Sequence, residues 1–298
     1  MDRFDILNEI RRLDPERDHQ RIMHLAFGYE FPWDSVRALE IALYRTYCIP
    51  SISGLLHRTG EFYHHAQKRY DDTAILIAEM CEWGYESGRG KEALERINWA
   101  HGHYTIRNDD FLYVLSTFIL EPIRWIDAFG WRRLCPQERA GFYCFWREVG
   151  RRMKIGDIPP SLEAFEAWSA DYERRNMDFA ETNRGVGGAT RDVFASWFPR
   201  VAAPIVHYSI YALLDDAMIA AFGFPKPLPL TRPLLRGSLR MRGRLLRWTP
   251  PRRAPHFFTD DPNRTHPDGY EIGLLGPPRL VDAERRARVE PAGHTTLR

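Results

Sequence analysis

Apolar positions recur along most of this chain at intervals of three and four residues, and strict alternation is nearly absent. With Asp34 as its cap, a helix is expected through Tyr47, with Val36, Leu39 and Leu43 on one face and Pro50 and Gly54 ending it. Residues 69–83 and 90–101 read as two more helices. Asn108, Asp109 and Asp110 form a cap cluster before the apolar run FLYVLSTFIL, which leads into Pro122. Pro136 sits at a helix start. The Pro159-Pro160-Ser161 sequence opens another helix reaching about Arg175, and two more are expected near 190–199 and 205–222. The pattern predicts an all-α chain with a single multi-helix domain over residues 1–224 and no internal repeat.

The behaviour changes at Phe224. PKPLPL reads as extended, polyproline-like chain, and RPLLRGSLRMRGRLLRW follows, with Arg at 232, 236, 240, 242, 244 and 247. Turn signals then crowd the sequence (TPPRR, DDPNRTHPDGY, LLGPPRL). Residues 225–298 are therefore expected to be a basic, Pro-rich, irregular extension packing on the domain. Within it, Arg mixed with Leu and Trp over 232–253 suits peripheral contact with a membrane surface, or a solvated basic segment lying on the domain.

Of the 298 residues, 44% are hydrophobic and 13% aromatic, enough for a substantial core and for an apolar binding pocket. The net charge of +2 gives no reason to expect nucleic acid as a partner. Cys48, Cys81, Cys135 and Cys144 are isolated, which removes a cysteine zinc site and a covalently attached c-type haem and suits a reducing compartment. The N-terminal segment is charged throughout and does not read as a signal peptide. The most apolar stretch, 201–224, is broken by Pro204, Asp215 and Asp216 and reads as a buried helix, not a membrane span. A cytoplasmic protein, with membrane association left open, is the expectation.

No P-loop, H-E-x-x-H motif or G-x-S-x-G elbow is present. Gly185-Val186-Gly187-Gly188-Ala189-Thr190 is a near miss to a dinucleotide fingerprint, but it follows a helical segment and ends on Thr190. Glu61-Phe62-Tyr63-His64 is a lone E-x-x-H, half of what a di-iron bundle needs. His101 continues an apolar stripe with Leu94 and Ile97, a position that suits either a core histidine or a metal ligand. Arg69 and Thr73, at i and i+4, share a helix face. They read either as a surface Arg with a capping Thr or as a pocket for an anionic group or bound oxygen.

At these residues the sequence resembles the MpaB/rubber-oxygenase (latex-clearing-protein) family. The likeness is carried by ALERINWAHGHYTIRNDDFLYVLSTFILEPIRWIDAFGWRRLCPQERAGFYCFWREVGRRMKIGDIPPS and by NRTHPDGYEIGLLGP, and runs over roughly residues 20–280, nearer to the MpaB branch. The resemblance implies a globin-like helical fold, a b-type haem on an axial His, and O2 as co-substrate. It places the axial His on the 101–103 segment, with His101 the better match and His103 the alternative. It also implies an Arg-x-x-Lys-Thr pattern over the haem. Here Arg69 and Thr73 match, while Asp72 stands where the Lys is expected. Leu115 stands where many bacterial relatives carry a second His.

The expected function is thus a haem-dependent oxygenase that oxidises or cleaves a carbon–carbon double bond of an apolar, isoprenoid-like substrate. His101 is the expected iron ligand, Arg69 and Thr73 line the haem or oxygen side, Glu121 or Glu61 serves as base, and His57 is a further candidate cofactor contact. Two alternatives stay open: non-haem iron held by some of His57, His64, His101 and Glu61, or a non-enzymatic helical haem- or lipid-binding protein.

Overall fold

The computed structural model describes residues 2–289. Among them there is no β-strand, and most of the described chain is helical. In order these are α1 (Asp5–Ile10), α2 (Pro15–His24), a π-helical turn (Leu25–Glu30), α3 (Pro32–Tyr47), α4 (Pro50–Thr59), α5 (Glu61–His64), α6 (Ala66–Trp83) and α7 (Gly88–His101). Then come α8 (Asn108–Phe129), α9 (Pro136–Arg152), α10 (Leu162–Asn176), α11 (Glu181–Ser196), α12 (Ala203–Leu213), α13 (Asp216–Phe222), α14 (Thr231–Leu246) and α15 (Pro278–Val289).

The centre of the fold is α8, packed against α3, α9, α10 and α14. Its sequence predicts a stop at Pro122, yet the helix runs a further two turns to Phe129. A mid-helix proline costs about 3 kcal/mol. Ile119, Ile123, Ile126 and Phe129 are buried along the same side, and fully burying each contributes roughly 1.5–3 kcal/mol. Burial therefore outweighs the missing hydrogen bond. Pro50 also acts differently from expectation: it opens α4 from the first helical position instead of ending α3, and Gly54 lies inside that helix. Asp34 sits in the first turn of α3, after Pro32, and not at its cap. Buried there, it accepts from the Trp125 indole at 3.2 Å and pairs with Arg242 at 3.0 Å.

The glycine-rich 185–188 segment lies in the middle of α11. A side chain at Gly187 would meet the Phe222 ring 2.5 Å away, and one at Gly185 would meet the Tyr63 hydroxyl at 2.5 Å. These glycines let α11 approach α13 and α5 closely, so the segment has a packing role. The apolar stretch 201–224 is two helices with a break at Leu214, where Asp215 caps α13 by accepting from the Met218 N–H at 2.9 Å. No helix among the described residues is long and apolar enough to cross a membrane. All four cysteines are free and buried.

Beyond residue 224 the chain is not wholly irregular. The Arg-rich segment is the four-turn helix α14, and α15 follows an irregular stretch. That stretch supplies Phe257, Ile272 and Leu275 to the main core.

Candidate functional site

One large cavity, about 560 Å³, lies between α4, α6, α7, α8 and the start of α15. Its size is within the range of small-molecule and cofactor pockets. Aliphatic and aromatic side chains form most of its wall, among them Leu76, Ile77, Phe111, Leu115, Phe118 and Trp146. Leu115 is one of these apolar groups.

His101 reaches this wall as the last residue of α7. Leu94, about two turns earlier, is buried, and Ile97 lines the cavity, so the stripe read in the sequence ends on the imidazole. The ring meets Phe111 edge-on, with centroids 5.2 Å apart. Its Nδ1 is buried and has no hydrogen-bond partner among the described residues. Burial, reinforced by the positive charge of Arg69, lowers its pKa to about 4. The imidazole is therefore neutral at pH 7, the form that binds a metal. His103, two residues on, is exposed, and its Nδ1 lies 2.8 Å from the Trp99 carbonyl.

The same wall holds Arg69 and Thr73 from α6. The Arg69 guanidinium donates to the Thr73 hydroxyl, and that hydroxyl donates to the Arg69 carbonyl at 2.8 Å. The pair locks itself one helical turn apart, with the guanidinium also 5.8 Å from the Phe62 ring centre. Glu61, buried at the start of α5, lines the cavity too. Burial raises the pKa of Tyr104 on that wall, and Glu61 adds to the rise while Arg69 opposes it.

Sequence reasoning missed Lys68. It lines the cavity one residue before Arg69, where its amine pairs with Asp72 and donates to the Gly276 carbonyl at 3.1 Å. Asp72, in the place of the expected Lys, is buried and tied into the C-terminal stretch. It accepts from the Gly276 N–H at 2.8 Å and lies 2.8 Å from His266 Nε2. Asp71 beside it accepts from the Thr265 N–H at 3.0 Å and from the Thr265 hydroxyl. This strap brings Gly276, Pro277 and Pro278 onto the cavity wall. The only signal in the sequence was the pairing of two acidic residues on an apolar helix with a distant THPDGY segment.

Three of the residues proposed from sequence lie elsewhere. Glu121 does not line the cavity. Its carboxylate is 2.9 Å from Arg45 and 2.8 Å from Arg124. Arg45 also pairs with Glu173 at 3.2 Å and Asp215 at 2.6 Å, so Glu121 belongs to a charge cluster joining α3, α8, α10 and the cap of α13. His57 is exposed, does not line the cavity, and its Nδ1 is 2.7 Å from the Tyr63 hydroxyl. His64 is likewise absent from the cavity wall. Among the described residues no three His, Cys, Asp or Glu side chains gather as a metal cage.

The family described as "ER-bound oxygenase mpaB/B'/Rubber oxygenase, catalytic domain" matches residues 41–248, which include Glu61, Arg69, Thr73 and His101. The chain belongs to this family. The ER-bound oxygenase mpaB' of Penicillium brevicompactum is 34% identical over 245 residues, covering 76% of this chain and 58% of that protein. The ER-bound oxygenase mpaB of Penicillium roqueforti (strain FM164) is 35% identical over 207 residues, 63% of this chain and 70% of its own length. The mpaB of Penicillium brevicompactum is 37% identical over 166 residues, 50% of this chain and 42% of its own. The chain thus spans little more than half of the mpaB' relative it matches.

Proposed function

We propose that this mpaB/rubber-oxygenase family member is a haem-dependent oxygenase. It would use O2 to oxidise or cleave a carbon–carbon double bond of an apolar, isoprenoid-like substrate. The observation that carries this reading is His101: a neutral imidazole with an unpartnered buried nitrogen, set on the wall of a roomy apolar cavity. A single-histidine cofactor such as haem brings its other ligands with it and needs no metal cage of side chains. The donor set fits. His101 would hold the iron, and Arg69 and Lys68 would face the anionic edge of the group.

Haem, when bound, supplies the oxygen chemistry. The chain's own residues do the rest. His101 offers a lone pair without first losing a proton at neutral pH. Thr73 fixes the Arg69 guanidinium against the wall, where it holds positive charge in place. The apolar lining excludes water and accepts a hydrocarbon chain without needing charged contacts. Of the carboxylates on the wall, Asp72 is held by Lys68 and His266 and Asp110 by Ser51 and Tyr172, which leaves Glu61 to take up or return a proton; Glu121 is committed to Arg45 and Arg124.

An oxygen electrode tests the reading. The haem-loaded chain is expected to consume O2 only when an unsaturated isoprenoid is added, with carbonyl or oxygenated products by mass spectrometry. No uptake across linear and aromatic-linked isoprenoids would overturn it. The presence of Glu61 and His101 on one wall also suits a non-haem iron site. Iron bound stoichiometrically without porphyrin would favour that second reading.

A further inference from the structure

The arginines of α14 divide into two sets. On the inner side, Arg232 pairs with Asp216 at 2.8 Å and donates to the Leu214 carbonyl at 2.9 Å. Arg242 pairs with Asp34 at 3.0 Å and stacks 3.7 Å over the Trp33 ring, while Arg236 lies 5.4 Å from the Phe129 ring centre. Leu239 and Leu246 pack on the core from the same side, and Gly243 lets the helix touch the carbonyls at the end of α8. These groups fasten α14 to the domain.

The outer set is different. Arg240, Arg244 and Arg247 are exposed and form no ion pair among the described residues. Beside them runs a stripe of exposed apolar side chains: Leu234, Met241, Leu245 and Trp248. At 1.5 Å per residue, Leu234 and Leu245 are about 17 Å apart along one face. Leu234 is 70% exposed and Trp248 85%. Isolated exposed apolar residues are ordinary, but four large ones on one side of α14 and the turn after it are not. The neighbouring helix α12, packed against α14, adds Ile205 and Tyr208, and Val201 precedes it; all three are exposed.

We propose that the outer face of α14, together with the exposed edge of α12, docks on an anionic lipid bilayer. Large apolar side chains would insert at the level of the lipid headgroups, and the three free arginines would meet lipid phosphates and serine carboxylates. Nucleic acid would use the arginines but give no reason to expose Leu234, Leu245 and Trp248. A protein partner offers no matching need for unpaired arginine along the whole rim. The surface lies outside the cavity wall, so its role is independent of the oxygenase reading.

Vesicle flotation with the full chain tests the inference. Phosphatidylcholine vesicles with and without 30 mol% phosphatidylserine are the probes. Wild-type protein floats with the anionic vesicles, less so as salt is raised. Each surface arginine contributes about a factor of five, so R240Q/R244Q/R247Q lowers the partition coefficient by about a hundredfold. L234S/L245S/W248S lowers it as well while leaving the salt dependence of the residual binding. Both variants alter only exposed side chains, and unchanged circular dichroism and melting verify the fold. Arg232→Gln serves as the control, since it removes an inward-facing charge and leaves flotation at the wild-type level. Binding that ignores phosphatidylserine, or is equal in wild type and both triple variants, overturns the proposal. So does a dimer in sedimentation that the same triple variants dissolve, because the face then joins two copies of this chain.

Discussion

At the scale of single residues, the decisive contrast is between His101 and His103. They are two residues apart, yet one faces the cavity and the other is exposed to solvent. His101 is the last residue of α7 and so ends the apolar stripe through Leu94 and Ile97, whereas His103 lies in the turn beyond the C-cap Gly102. Burial then gives His101 a consequence that can be measured. Its folded pKa, about 4, lies below the ordinary value of 6.5, so the folded chain binds fewer protons than the unfolded chain between those values. Stability is therefore full above pH 6.5 and falls as pH drops towards 4. The loss is up to about 3 kcal/mol for the metal-free chain. Denaturant melts across this window check it, and in His101→Leu this part of the slope should disappear. A residue-scale reading could find His101 and the Arg69–Thr73 pair because each has a helical period. It could not find that Glu121 is occupied, because Arg45 reaches it from distant α3 and is itself held by Glu173 and Asp215 from two other parts of the chain. Glu121→Gln is expected to lower stability by about 2 kcal/mol and leave cofactor uptake unchanged, as thermal melts and a haem titration would show.

At the scale of elements, prolines and glycines account for most departures from the sequence pattern. Pro122 reads as a stop, and Gly185 to Gly188 fall outside the helices expected from the sequence, yet both lie within helices. Local preference loses in each case to packing that the one-dimensional pattern does not contain: the buried side of α8, and the approach of α11 to Phe222. Gly187→Ala places a methyl where the Phe222 ring now stands. It should destabilise by about 1–3 kcal/mol in urea melts, whereas Gly188→Ala, which meets nothing within 4 Å, should be neutral or slightly stabilising. The strap fastened to α6 is the other element-scale feature. Asp72 accepts from the Gly276 N–H and pairs with Lys68 and His266. Asp72→Ala would leave those donors buried without their acceptor, at roughly 3 kcal/mol. Limited proteolysis should then cut first within residues 255–277, before any site in α8.

At the scale of the whole molecule, the fold gathers the site from elements far apart in sequence. α6 gives Arg69 and Thr73, α7 gives His101, α8 gives Phe111 and Leu115, and the C-terminal strap closes one side. The all-α class was legible because its period runs through most of the chain. The cavity was not, since no stretch of sequence states that α4, α6 and α7 enclose a space. Nor was the double role of the region beyond residue 224, which is part fastening, part cavity wall and part exposed basic face. The family places an oxygenase framework around these residues, and the proposed function puts iron on the neutral His101. A spectrophotometric haem titration of the purified chain, with His101→Ala and His103→Ala alongside, tests this most directly. The account predicts one haem per chain with a sharp, saturable absorption band in wild type and His103→Ala, and loss of tight binding in His101→Ala. Equal binding by all three proteins, or no saturable binding by wild type, would contradict it.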